Sequence, residues 1–322
     1  MKQLFTLIFC VFTMSLSAQT QEPVEPDYIE SGYYQLIYEA DIAYKEGNED
    51  LAFEKYEEAE KRCPLLNQPM YGEMECYSIL LLKRGMYDKA LHYIEKMATE
   101  YGAVSLAFVY LFYEEGTMLD DISAVYPNFA DSIAPAILAK ANDFYTPERQ
   151  LMIDELTTML ENEQSVRYEL EDARNDASKP QEDIKLIGQR MKEIDKYNAG
   201  RMIEIIEQYG FPNSRLYGSN NPRLVGIDVI FAHNYDNETL RELAMEHVRK
   251  GNCAPRLYGF IVDRERLDLG EGFVYWIYDN AGEDRIEDIE HLDERRIAIG
   301  MPTREMEIRR NELMKQREQG EL

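Results

Sequence analysis

Residues 257–279, LYGFIVDRERLDLGEGFVYWIYD, decide the fold class. Two runs rich in aromatic and aliphatic side chains flank the turn at Gly270 and Gly272, a pattern that reads as two strands of a hairpin. The rest of the chain carries helical patterns. The expected fold is therefore mainly α with a small β-hairpin, the hairpin belonging to an α+β rear domain. Successive side chains of a strand point to opposite faces. Asp263 would then lie with Gly259 and Ile261, and Arg264 with Tyr258, Phe260 and Arg266. Without a bulge the two cannot enter one pocket, so one of them serves structure.

Working outward, Thr146 and Pro147 open a helix that runs to about Asp172, the first as N-cap and the second at the first helical position. A polar break, NDASKP, leads into another helix. Its apolar stripe comprises Ile184, Ile187, Met191, Ile194, Tyr197, Met202 and Ile205, and Gly210 and Pro212 stop it. Asn221-Pro222 opens a segment ending near His233, and Asn237-Glu238 one ending at Gly251. Beyond the hairpin lie an acidic stretch, DNAGEDRIEDIEHLDERR, and a charged helical tail from Thr303, either frayed or a partner-docking helix.

Several polar residues stand out in this half. At a helix C-terminus the dipole favours protonated His233, which suits a general acid or an anion clamp as well as a simple cap. Arg295 and Arg296 follow Asp293 and Glu294, and arginine forks match carboxylate or phosphate. Gln164 with Arg167, and Asp195 with Asn198, each share a helix face. They suit a buried polar network or a substrate cradle. An enzyme reading would use His233 as acid or base, with Asp263, Arg264 and Arg296 around one anion site. No metal-ligand spacing or cofactor motif is visible: there is no C-x-x-C and no H-E-x-x-H.

The front half carries small or aromatic residues at Ala40, Tyr44, Gly47, Ala52, Tyr56, Ala59 and Pro64. These spacings resemble the tetratricopeptide repeat, which implies paired helices packed through small residues. A looser copy sets Gly85 against Gly47, Ala90 against Ala52 and Met97 against Ala59. The separation of 38 residues from Gly47 to Gly85 exceeds the usual repeat of roughly 34, and the loop PLLNQP absorbs the excess. A third unit covers LAFVYLFYEEGTMLDDISAVYP. In such an array Tyr44, Tyr77 and Tyr110 are candidates for binding a peptide or protein partner.

The rear half resembles an uncharacterised domain family of secreted bacterial proteins. The resemblance rests on Gln164 and Arg167 in NEQSVR, Asp195 and Asn198 in DKYN, YGFP with Gly218, His233, Asp263-Arg264, and DERRIAIGM with Arg295 and Arg296. After Gly272 the chain departs from it, reading Phe-Val-Tyr-Trp where a glutamine and Tyr-Gly are expected. The resemblance implies a domain boundary and carries no activity with it.

At the start, Lys2, the apolar run Leu4 to Leu16 and the small exit to Ala18 read as a secretory signal peptide, too short to span a bilayer. The expected organisation is a signal peptide at 1–18, a flexible leader at 19–30, helical repeats at 31–145, an α+β domain at 146–302 and a tail at 303–322. A net charge of −26 argues against nucleic acid, whose phosphates require Lys and Arg. Cys63 and Cys76 could bridge in an exported protein; three unpaired thiols, with Cys253, are the simpler reading. Together these features describe an exported, acidic interaction protein that is not membrane-spanning, with an anion-binding enzyme as the alternative.

Overall fold

The computed structural model describes residues 25–113, 117–219, 221–224, 226–278 and 281–319. The expected signal peptide lies outside the described residues, as do leader positions 19–24. The fold is mainly helical. Four helices open it: α1 (Tyr33–Lys45), α2 (Glu49–Arg62), α3 (Glu73–Lys83) and α4 (Tyr87–Tyr101). They pack as the pairs α1 with α2 and α3 with α4. Gly47 and Gly85 turn the chain between partners with φ of 78° and 69°, a left-handed conformation that L side chains rarely adopt. Then come α5 (Leu106–Tyr113), α6 (Thr117–Val125) and α7 (Ala134–Asp143).

Two long helices follow, α8 (Pro147–Asn175) and α9 (Gln181–Tyr209). Thr146 caps α8 by accepting the Arg149 N–H at 3.3 Å. The pair has two cores. Near the body Met152, Leu156, Met202 and Ile205 join the main cluster, whereas at the far end Val166, Leu170, Ala173 and Ile187 form a small cluster of their own. The remaining helices are α10 (Ser214–Tyr217), α11 (Val229–His233), α12 (Glu238–Arg249), α13 (Pro255–Leu269), α14 (Leu292–Ala298) and α15 (Arg304–Glu318). The segment expected as one helix from Asn221 to His233 is a short 3-10 turn, Pro222–Leu224, followed by α11.

The expected hairpin at 257–279 is absent, because its first strand is α13. Pro255 occupies the helix start and Gly270, at φ 72°, caps its end. Pro255, Leu257, Gly259, Ile261 and Asp263 are buried while the residues between them are less so, which imitates the period of a strand. The alternation arises because α13 is covered on two sides. Helices α11 and α12 pack on one; Ile277 and Met301 press on another, so closely that a Cβ at Gly259 would meet Met301 Sδ at 2.9 Å. β-type pairing among the described residues is a single bridge between Phe273 and Ile286.

One apolar cluster runs from Tyr28 to Ile261, through both halves of the chain. Tyr34 Oη donates to the Val248 carbonyl at 2.6 Å, Tyr38 Oη to Gly300 at 2.7 Å, and Gln35 to Met301 at 2.7 Å. The face that α1 turns away from α2 is thus covered by the rear half. The leader expected to be flexible is anchored from Tyr28 onward: this side chain is buried, its N–H donates to Arg249 O, and its hydroxyl donates to Pro64 O. The charged tail forms α15, which packs on α1. Arg310 Nε reaches Asp41 at 2.9 Å, Arg309 pairs with Glu46 at 2.7 Å, and Leu313 is buried. Cys63, Cys76 and Cys253 are unpaired thiols. No described helix is long and apolar enough to cross a membrane.

Candidate functional site

The residues singled out from the sequence occupy separate places. His233, at the end of α11, contacts the fully buried Glu163 of α8 through Nδ1. Arg167, one turn on, pairs with Glu163 at 2.9 Å and forks onto both oxygens of Asp195 on α9 at 2.9 and 3.0 Å. Gln164 contacts Glu163, and Asn198 donates to the Met159 carbonyl at 3.2 Å. Burial raises the Asp195 pKa despite the arginine beside it. Of the two readings for these residues, the geometry is that of a buried polar network in which each member is engaged.

Asp263 and Arg296 act on one loop. The buried Asp263 carboxylate accepts the N–H groups of Val274, Tyr275 and Ile277 at 2.8, 3.0 and 2.9 Å. Loss of water raises its pKa more than these donors lower it. Arg296, wholly buried, donates to Pro302 O at 2.7 Å, Tyr275 O at 2.6 Å and Glu307 at 2.8 Å. Between these anchors Trp276 adopts φ 52°, which is unusual for a bulky residue and persists only where surroundings enforce it. Arg264 pairs with Asp268 one turn along α13, at 3.1 Å. The four residues of the enzyme reading do not converge on one cavity.

Of the tyrosines, Tyr77 is buried among Phe53, Tyr56 and Tyr93, and Lys89 donates to its hydroxyl at 2.7 Å. Tyr44 is half-buried beside the guanidinium of Arg317. Tyr77 is therefore a packing residue. The Tyr110 side chain lies outside the described residues.

The loop held by Asp263 and Arg296 does border a cavity. A cleft of about 790 Å³ opens between α1, the loop after α2, α13 and α15. This volume lies within the usual range for small-molecule sites. Tyr38, Ile42, Phe260, Ile277, Met301 and Met306 give it apolar walls. A smaller recess of about 100 Å³ shares Gln68, Pro69, Asp228, Ala254 and Leu257 with it. Arg256 and Arg310 also line the cleft, but Arg256 is paired with Glu307 and Arg310 with Asp41.

Two groups on the shared wall are not engaged. Gln68 is only 8% exposed, and neither its Oε1 nor its Nε2 has a partner among the described residues. Its backbone is fixed, with its N–H donating to Glu73 Oε2 at 2.6 Å. Fully buried Glu73 has its pKa pushed up to about 8 by desolvation. Asp228 is the second group. Its side chain is exposed at the cleft, and desolvation by the surrounding protein raises its pKa to about 6.

Neither group was among the sequence candidates, although signals existed. Gln68 belongs to the loop that lengthens the repeat spacing, and Asp228 is an acid inside the apolar run Val225 to Phe231. Comparison with family models, curated proteins and solved structures finds no match.

Proposed function

We propose that this chain is an exported binding protein whose ligand sits in the cleft between its front helix pairs and α13 and α15, with α1 to α4 acting as tetratricopeptide-like units. The cleft itself carries this reading: about 790 Å³ of space walled by Tyr38, Ile42, Phe260, Ile277, Met301 and Met306 matches the volume of small-molecule sites. The covered face of α1 argues for a ligand enclosed by both halves over one laid along an open groove of repeats. The separation of His233 from Asp263, Arg264 and Arg296 favours binding over catalysis. Nile red tests the cleft. It should bind saturably at one site with enhanced emission, and Met70→Trp at the exposed rim should weaken it about tenfold without lowering the melting temperature. Absence of saturable binding to the wild type would overturn the reading.

A further inference from the structure

Resting on the cleft reading, we infer that the cleft takes an apolar chain ending in a carboxylate, as in a fatty acid, the carboxylate meeting Arg256 and Arg310 and the hydrocarbon lying along the apolar walls. Where α15 borders the cleft, arginines gather in a protein of net charge −26. Glu307 pairs with Arg256 and with the wholly buried Arg296, and Arg304 reaches it too. Asp41 pairs with Arg310 and with the buried Lys45. With Arg304 set aside, four cations divide two carboxylates. Asp263 lies near Arg296 without lining the cleft, and with its charge counted one positive charge is still left over. A carboxylate supplies the single negative charge that balances it.

The surplus is within reach of a ligand. An arginine has five N–H donors. Arg256 gives Nη1 to Glu307 and Nη2 to the Ile277 carbonyl at 3.3 Å, so its Nε–H has no partner among the described residues. Arg310 gives Nε to Asp41 at 2.9 Å and Nη2 to the Met70 carbonyl, so neither hydrogen of its Nη1 has one. Neither nitrogen is shut off from solvent, and both side chains line the cleft. Glu307 and Arg310, three residues apart on α15, share a helix face, which keeps the Arg256–Glu307 pair and Arg310 together.

The rest of the cleft selects the body. Asp228 lines the recess as well as the cleft, whereas Arg256, Glu307 and Arg310 line the cleft alone. Desolvation raises the Asp228 pKa with no cation drawing it down, which sets that acid apart from the arginines. A peptide would bring amide groups to apolar walls that offer few partners, and each unmet group is costly. A hydrocarbon brings none. The acidic surface elsewhere is no bar to an anion, because exposed charges more than roughly 8 Å away are largely screened at physiological ionic strength.

The test is displacement of Nile red from the full chain at about pH 7.5, where a carboxylic acid is ionised and an alkylamine protonated. Decanoate should bind at least about tenfold more tightly than decanol, and decylamine more weakly than decanol. N-acetyl-Leu-Phe, a peptide with a free carboxylate, should bind more weakly than decanoate. Arg256→Gln, which leaves Arg296 and Arg304 on Glu307, should narrow the gap between decanoate and decanol to below about threefold; if that variant does not fold, the wild-type series decides. Equal affinity for decanoate and decanol, tighter binding of the amine or the dipeptide, or a gap unchanged in folded Arg256→Gln overturns the inference, and Nile red binding then leaves the cleft reading standing. Failure of the dye and every probe to bind overturns both.

Discussion

The wall and the floor of the cleft treat a carboxylate in opposite ways. In the wall, Asp263 is buried, gathers three backbone N–H groups and lies near Arg296. On the floor, the Asp228 side chain is exposed and has no partner among the described residues. The first arrangement is complete as it stands, and its product is the shape of the 273–278 loop, which brings Ile277 and Tyr278 to the cavity. The second is left to solvent. The charged residue that looks most deliberate in the sequence is thus the one that builds the site, whereas the one open to solvent sits in an unremarked apolar run.

This contrast can be broken most forcefully at the wall. Arg296→Met leaves the Tyr275 and Pro302 carbonyls without their donor and removes one of the three arginines on Glu307, which keeps Arg256 and Arg304. At about 1–3 kcal/mol per buried group left unsatisfied, the loss is about 3–5 kcal/mol. Urea denaturation should show that loss, and a change below about 1 kcal/mol would mean that the loop is held by something else. Asp263→Ala comes next, at about 3 kcal/mol, since three N–H donors lose their acceptor and only some can turn to water. Nile red affinity should fall with it as Ile277 and Tyr278 lose their support.

A pH experiment sharpens the comparison. Glu73 binds its proton more tightly folded than unfolded, its pKa rising from 4.5 to about 8. Its contribution to stability is therefore full below pH 4.5, declines as pH rises and is gone above about pH 8. Relative to Glu73→Gln, the wild type should lose about 2 kcal/mol between roughly pH 5.5 and 7.5, measured as the difference between two denaturation series. A flat difference would show that Glu73 is already ionised. The smallest effect belongs to the closed polar network. His233→Ala should cost about 1 kcal/mol and leave Nile red affinity unchanged, whereas loss of dye binding would tie His233 to the site.

Much of the helical order is legible along the chain. Thr146-Pro147 and Asn237 start helices where expected, the latter accepting the Leu240 N–H at 3.1 Å. The pairing of Arg167 with Asp195 across two helices also follows from their shared spacing. The 257–279 stretch misleads for a physical reason: a helix contacted from two sides loses its one-faced period, and burial on alternate residues then looks like a strand. Its Pro255 and Gly270 mark a helix of ordinary length and were the better guide. The docking of α15 is harder to foresee, because charged contacts from Arg309 and Arg310 share the work with the single buried aliphatic Leu313. The cleft depends on segments distant in the chain coming together, so the local signals at Gln68 and Asp228, a lengthened loop and an acid in an apolar run, do not by themselves reveal a shared wall.

The contact between Asp41 and Arg310 spans 269 positions. A ribosome adding about 5–20 residues per second needs roughly a quarter of a minute to a minute to cover that distance. Within that interval the first helix is claimed piecemeal, Tyr34 once residue 248 has emerged, Tyr38 once residue 300 has, and Asp41 last, so the nascent chain depends on keeping that helix from unintended company meanwhile.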